Sequence, residues 1–199
     1  SCRGRQRIGP AISTRGALMT QSDDGLSFDE FDPPTRQAIA RALLKMAGQI
    51  EGAATPSEAG LAAIAYAHVV EVCEGDLDPS VRATVATSRL ERGIIIGFGC
   101  SVSGNMQDLP EAIACFEQVI RECGQDPDPE LRGLAVEAGI RAASICMTFG
   151  QLSAGMSFYN RVVATFGNDP DPRVRESADF AARERTKYQS PKHGPGGRS

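Results

Sequence analysis

The stretch from Arg92 to Asn105, RGIIIGFGCSVSGN, contains the residues best able to form a nucleotide site. An apolar run followed by glycines is typical of a strand that leads into a phosphate-binding loop. The dinucleotide fingerprint G-x-G-x-x-G, however, requires a third glycine where this chain has Val102. A Walker loop requires Gly-Lys followed by Ser or Thr, which the sequence does not contain. We therefore expect no nucleotide and no other cofactor.

The cysteines and histidines are the next candidates for chemistry. The sequence has six cysteines and two histidines, with no C-x-x-C pair and no histidine at zinc spacing, so we expect no metal site. Cys73 and Cys123 occupy the position that Phe166 fills in a later repeat unit, which predicts that both are core residues. Cys100 is the one thiol that we expect to be exposed and reactive. Neither histidine accompanies a nucleophile, and no catalytic activity is predicted.

A repeat that runs through most of the chain must position these residues. The motif Asp-Pro-x-x-Arg occurs four times, at intervals of 43 to 50 residues. Its arginines are Arg36, Arg82, Arg132 and Arg175. Upstream of the motif, Tyr66, Phe116 and Tyr159 also align. Self-similarity at this period indicates that one structural unit is repeated several times along the chain.

Each unit contains two predicted helices. Apolar residues three and four positions apart, as at Leu109, Ile113 and Phe116, lie on one helix face. The second aspartate of each linker is predicted to cap a following long helix that has proline at its first position. These aspartates are Asp78, Asp128 and Asp171, and the long helices are predicted at Pro34 to Gly48, Pro79 to Gly97, Pro129 to Phe149 and Pro172 to Tyr188. No segment alternates as a strand would. The sequence predicts an all-α fold, an α-solenoid of stacked antiparallel helical hairpins.

The four motif arginines recur in every unit, which favours a structural role for them. We expect each to pair with a loop aspartate or with the C-terminus of a neighbouring helix. The alternative is a ladder of arginines that binds an acidic ligand.

The segment FGQLSAGMSFYNRVV resembles the turn between the two helices of a tetratricopeptide repeat. In this comparison Phe149 and Gly150 end the first helix, and Met156 and Tyr159 lie in the second. The resemblance covers residues 32 to 188, and the DPDP linkers are similar to those of bacterial repeat arrays. The family repeat has about 34 residues, shorter than the intervals here, and this chain lacks tryptophan, so another α-solenoid remains an alternative. The resemblance implies a non-catalytic protein-binding scaffold whose concave groove is lined mainly by the first helix of each hairpin.

Composition indicates four regions. We expect a disordered or non-native leader at 1–18, a flexible lead-in at 19–31, the repeat domain at 32–188 and a disordered tail at 189–199. No apolar run is long enough for a signal peptide or a membrane span, which predicts a cytoplasmic protein that does not bind membranes. The net charge is −4, and the two ends carry six cationic residues and no acid, which leaves the body at −10. That charge disfavours nucleic acid as a partner.

Non-repeating residues on the middle long helices are the candidates for partner recognition. Arg89, Arg92 and Arg141, with Glu137 nearby, predict a local basic strip in an otherwise acidic protein. Such a strip suits an acidic segment or a terminal carboxylate of a partner protein or peptide. The alternative is an ordinary solvated helix face.

Two further features remain open at this stage. The hairpin around CSVSGNMQD is about seven residues longer than its neighbour, which predicts an enlarged loop. The final helix, with Phe180 and Tyr188, either caps the array or supports self-association. The leading hypothesis is a protein-interaction scaffold, and the alternative is a regulatory sensor of a small-molecule or peptide signal. Either one is compatible with a fragment of a larger protein.

Overall fold

The computed structural model describes residues 28–51 and 56–189, and within them the fold is all-α, as predicted. A short 3-10 turn at Phe28–Glu30 precedes seven α-helices in the described residues. These are α1 (Pro33–Glu51), α2 (Pro56–Cys73), α3 (Pro79–Ser103), α4 (Leu109–Cys123), α5 (Pro129–Thr148), α6 (Leu152–Phe166) and α7 (Pro172–Gln189). The leader at 1–18, most of the lead-in and residues 190–199 of the tail lie outside the described residues.

Helix α3 differs most from its predicted bounds. It has 25 residues, against 20 in α5, and continues six residues beyond Gly97. It ends at Gly104, whose φ of 69° is a left-handed conformation that glycine adopts at little cost. The extra residues of this hairpin therefore mainly lengthen a helix, and the prediction of an enlarged loop was wrong. No residue in CSVS breaks a helix, so the helix continues to the next glycine.

The linkers between hairpins are held by both of their aspartates. The second aspartate caps the long helix, as predicted: Asp128 Oδ1 accepts the Glu130 backbone N–H at 2.8 Å, and Asp171 Oδ1 accepts that of Arg173 at 2.8 Å. Asp78 caps α3 in the same way, through Ser80 and Val81. The first aspartate accepts the backbone N–H of the second, at 2.8 to 2.9 Å in all three linkers. Each linker is thus closed by its own sequence.

The motif arginines connect successive linkers. Arg132 binds both carboxylate oxygens of Asp169 in the next linker, at 2.7 and 3.0 Å. Its Nη1 also donates to the carbonyls of Asp126 and Pro127 in its own linker, at 2.7 and 2.9 Å. The pairs Arg36 with Asp76 (2.6 Å) and Arg82 with Asp126 repeat this contact along the chain. The predicted pairing with loop aspartates is therefore present in three copies, which we call the arginine ladder.

The fourth arginine of the series has no such partner. Arg175 Nη1 donates to the carbonyls of Asp169 and Pro170, but the guanidinium contacts no carboxylate among the described residues. Helix α7 follows the last described linker, so no further linker aspartate is placed against it.

Each helix packs against the next one in the chain, and each odd-numbered helix also packs against the next odd-numbered helix. Serial stacking of hairpins predicts this pattern. Helix α3 lies between two core clusters: Val81 and Val85 belong to the cluster with α1 and α2, whereas Ala86 and Leu90 belong to the cluster with α4 to α7. The main contacts between successive hairpins therefore all involve one of the long helices α3, α5 and α7.

Glycines on the long helices allow neighbouring helices to approach closely. A methyl group placed at Gly93 would lie 2.8 Å from Phe116 Cε1, and one at Gly139 would overlap Val162 Cγ2. A methyl group at Gly97 would overlap Ile145. The glycines Gly93 and Gly97 in the RGIIIGFG stretch are thus packing positions within a helix, consistent with the absence of a phosphate-binding motif.

The two glycines Gly133 and Gly139 of α5 give a matched test of this packing. Gly139→Ala should lower the free energy of unfolding by about 1–3 kcal/mol, because the added methyl group overpacks the contact with Val162. Gly133→Ala should raise it by about 0.5–1 kcal/mol, because nothing lies within 4 Å of a Cβ there and alanine favours the helix. Urea unfolding of both variants measures the two values. Equal effects of the same sign would contradict the packing described here.

The arginine ladder makes a prediction that depends on pH. Hydrogen bonding to Arg132 is the main cause that holds the pKa of Asp169 below its ordinary value of 3.8. A carboxylate with a depressed pKa stabilises the fold above that ordinary value and loses its contribution as the pH falls through the folded pKa. Arg132→Ala should therefore cost about 1–3 kcal/mol at pH 7, and the cost should shrink below about pH 4.

Arg175→Ala is the matched control for the ladder. Its acceptors are backbone carbonyls, which do not titrate, so its cost should be smaller and independent of pH. Urea unfolding at several pH values distinguishes the two variants. A cost of Arg132→Ala that stays constant down to about pH 3 would exclude the ion pair as its source.

Candidate binding cleft

Helices α2 and α4 both pack on α3 but make no extensive contact with each other. Between them lies an open cleft whose floor is α3. Three adjoining hollows form this cleft: the middle one shares Glu74 and Arg89 with the hollow at the linker end, and Ala67, Arg92 and Glu111 with the hollow at the other end. We call the whole feature the α2–α4 cleft. It extends along α3 from Arg82 to Ser103.

Arg89, which lines the cleft, stands where the next unit has a glycine. Arg89 and Gly139 both lie seven residues after their motif arginine. At Gly139, Val162 of α6 closes against the α5 backbone and Ile120 of α4 lies 3.8 Å from the Cβ position. A guanidinium fills the corresponding space beneath α2 and α4. A long charged side chain thus lies in the α2–α4 cleft, whereas at the equivalent glycine a side chain of α6 packs directly against the α5 backbone.

The predicted basic strip requires correction. Arg89 is buried, at 8% exposure, and its guanidinium pairs with both Glu74 and Glu122. Arg92 pairs with Glu111 of α4. The arginines of the cleft are therefore already paired with glutamates from α4 and from the turn that follows α2, which the sequence does not place beside them.

Arg141 lies apart from the cleft. It binds Glu137 one turn earlier on α5, at 3.0 Å, and both residues line a separate hollow of about 420 Å³ between α5 and α7. Phe180, which is 43% exposed, lies in the same hollow. The structure thus brings Arg89 and Arg92 together and keeps Arg141 away from them.

One of the three hollows lies at the end of the α2–α4 cleft that is farther from the linkers. It has a volume of about 600 Å³ and a mostly apolar lining. Small and apolar residues of α2 and α3 form it: Ala59, Gly60, Ala63, Ile64, Ala67, Ile95, Ile96 and Gly99. Among the described residues, nothing lies within 4 Å of a Cβ placed at Gly60 or Gly99. A glycine inside a helix costs about 1 kcal/mol relative to alanine, and no packing contact in this part of the chain explains these two. The sequence analysis did not identify these two glycines, because the sequence does not show whether a helical glycine faces open space or a packed neighbour.

Asp108 closes this end of the cleft. It occupies the N-cap position of α4, but its side chain makes no capping bond, unlike Asp78 and Asp128. Its carboxylate has no hydrogen-bond or ion-pair partner in the described part of the chain. Asp108 also lines the hollow that contains Gly60 and Gly99. A negative charge is therefore available beside an apolar surface.

The cysteines are less accessible than the sequence suggests. Cys100 is 3% exposed, so the prediction of an exposed, reactive thiol was wrong. The extension of α3 encloses it, where a loop would have left it open. Cys73 and Cys123 are core residues, as predicted. Burial raises the pKa of the Cys100 thiol, and it raises that of Cys123 to about 11.

His68 and the possible metal ligands are the remaining residues with potential chemistry. His68 is exposed and lies 3.6 Å from Glu71. Across these two ranges, no three His, Cys, Asp or Glu side chains are placed to hold a metal ion. Nor does either range contain a helix with the length and apolar character needed to cross a bilayer.

Comparison with known proteins adds no assignment: no family model matches this chain, and searches of curated proteins and of solved structures found no match.

Thiol reactivity tests the placement of the cysteines. The Cys2→Ser variant removes the one cysteine outside the described residues. In its folded state this variant should react slowly with a thiol reagent near neutral pH. The remaining thiols are buried and have raised pKa values, so little of the reactive thiolate form is present. All five remaining cysteines should react after unfolding in guanidinium. A rapid single equivalent in the folded state that Cys100→Ser abolishes would show that Cys100 is exposed.

Proposed function

We propose that this chain is a non-catalytic protein-interaction module, a tetratricopeptide-like α-solenoid that binds a segment of a partner protein in the α2–α4 cleft. The observation that carries the proposal is the pair of open glycines, Gly60 and Gly99. Each one weakens its helix, and no atom of the described residues lies within 4 Å of its Cβ position, which leaves space there for an occupant.

The location of the cleft differs from the groove that the family resemblance implies. A first helix, α3, forms its floor, but the second helices α2 and α4 form its walls. The hollow that holds Arg141 lies between the first helices α5 and α7 and corresponds more closely to the family groove. We favour the α2–α4 cleft because it is longer and contains two of the open glycines.

The proposed setting is the bacterial cytoplasm. The linkers resemble bacterial repeat arrays, and the five described cysteines are free, which suits a reducing compartment. Their buried thiols, with raised pKa values, also favour a non-catalytic role.

Affinity capture with a cleft-filling variant tests the proposal. Gly99→Leu places a bulky side chain in the cleft, where a Cβ has no atom of the described residues within 4 Å, and the protein should stay folded. Gly133→Leu is the matched control, because it makes the same change at another open helix glycine outside the cleft. Each protein is used to capture partners from a lysate of the source organism, and the captured proteins are identified by mass spectrometry and compared.

A partner retained by the wild type and by Gly133→Leu but lost with Gly99→Leu would support binding in the cleft. Partners lost only with Gly133→Leu would instead favour the hollow between α5 and α7. If all three proteins capture the same set, neither site binds the partner and the proposal fails.

A regulatory sensor of a small molecule is the second candidate, because the open end of the cleft has a volume in the range of small-ligand sites. A ligand in a low-molecular-weight extract should raise the melting temperature of the wild type and not that of Gly99→Leu. Equal shifts in both proteins would place the ligand elsewhere.

A further inference from the structure

We infer that the segment bound in the α2–α4 cleft is an amphipathic helix whose apolar face is flanked by two cationic side chains about three helical turns apart. This inference rests on the proposed function, because it describes the occupant of the same cleft. The inferred partner segment is cationic, whereas the sequence alone predicts an acidic one.

The first argument concerns charge near Arg89. One guanidinium there faces two carboxylates, those of Glu74 and Glu122. Their side chains are 57% and 41% exposed, so both remain accessible from the cleft. These three side chains together carry one excess negative charge. Glu122 also accepts the Gln118 amide at 2.6 Å, and Arg121 binds that amide. Glu74 is therefore the carboxylate that this group offers to a cation of the partner.

The second excess negative charge lies at the other end. Arg92 and Glu111 neutralise each other, which leaves the unpartnered Asp108 as the net charge of that section. Between the two negative positions lie first the neutral pair of Arg92 with Glu111 and then the apolar lining that includes Ile95, Ile96 and the open glycines. The cleft thus presents in order a negative group, a neutral ion pair, an apolar section and a second negative group.

Helix geometry gives the spacing between the two cations. Cys100 on α3, which lines the cleft beside Asp108, lies eleven residues after Arg89. Eleven residues correspond to about 16 Å along a helix and to about three turns. A partner helix that lies along α3 can therefore place two residues eleven positions apart on one face, with apolar residues between them.

The shape of the cleft favours a helix over an extended strand. The walls are two helices, and no strand with a free edge is present in the described residues to pair with an extended segment. The small side chains of α2 and the absent side chain at Gly99 allow a partner backbone to come close to α3. Packing of apolar side chains, not backbone hydrogen bonding, must then supply the affinity.

A displayed library of amphipathic helices tests the inference. Two positions eleven residues apart are randomised on either side of a constant face of alanine and leucine. Selection is carried out on the full chain, with Gly99→Leu used to remove clones that bind elsewhere. Enrichment of lysine or arginine at both positions, in clones that Gly99→Leu does not bind, is the expected result.

The other outcomes separate the two proposals. Clones that depend on Gly99 but carry acidic or uncharged residues at both positions would overturn this inference and leave the cleft as the binding site. Failure to obtain any clone that distinguishes the wild type from Gly99→Leu would count against both.

Charge variants provide a second measurement on the selected clones. Asp108→Asn should weaken binding about two- to five-fold, as expected for an exposed ion pair, and the loss should be smaller at high salt. Asp179→Asn, which removes an exposed carboxylate on α7, should leave the affinity unchanged. Equal effects of the two variants would show that only the overall charge of the protein matters.

Discussion

A guanidinium that bridges two successive linkers is the contact on which the rest of this array depends. Arg132 binds the carbonyls of the linker before its own helix and the aspartate of the linker after the next helix. A nearly buried carboxylate such as that of Asp169 requires such a partner, because leaving its charge unpaired would be costly. The start of each hairpin is therefore fixed by the hairpin before it, independently of the side chains that pack farther along the helices.

This constraint explains how the array tolerates a cleft. At the linker end of α3, the pairs of Arg36 with Asp76 and Arg82 with Asp126 hold successive linkers in register. Farther along α3, Arg89 pairs with Glu74 and Glu122 in the cleft, whereas at the equivalent Gly139 the side chain of Val162 packs against the α5 backbone. The residue at this equivalent position therefore makes different contacts in the two units. The ladder keeps the hairpins stacked in both cases.

The same residue type has opposite roles on the two sides of α3. Gly93 and Gly97 are required because α4 and α5 approach the α3 backbone, and a methyl group would collide with Phe116 or Ile145. Gly99 faces open space on the side of the cleft. A glycine that relieves a clash is explained by folding alone, whereas one that costs helix stability and relieves nothing suggests an occupant. This distinction, together with excess carboxylates on either side of the apolar section, supports a cationic amphipathic helix as the partner.

The sequence by itself determined that the chain is helical, where the long helices begin and which aspartates cap them, and it indicated loop aspartates as one partner for the motif arginines. These features depend on local patterns: apolar spacing along one helix, proline at its first turn, and an aspartate and an arginine repeated in every unit. It did not determine the surroundings of residues that occur only once. The burial of Cys100, the pairing of Arg89 with Glu74 and Glu122, and the open space at Gly99 depend on side chains from three different helices. The tertiary structure decided them, because packing distance and charge pairing between helices are properties of the assembled fold, and a one-dimensional pattern does not contain them.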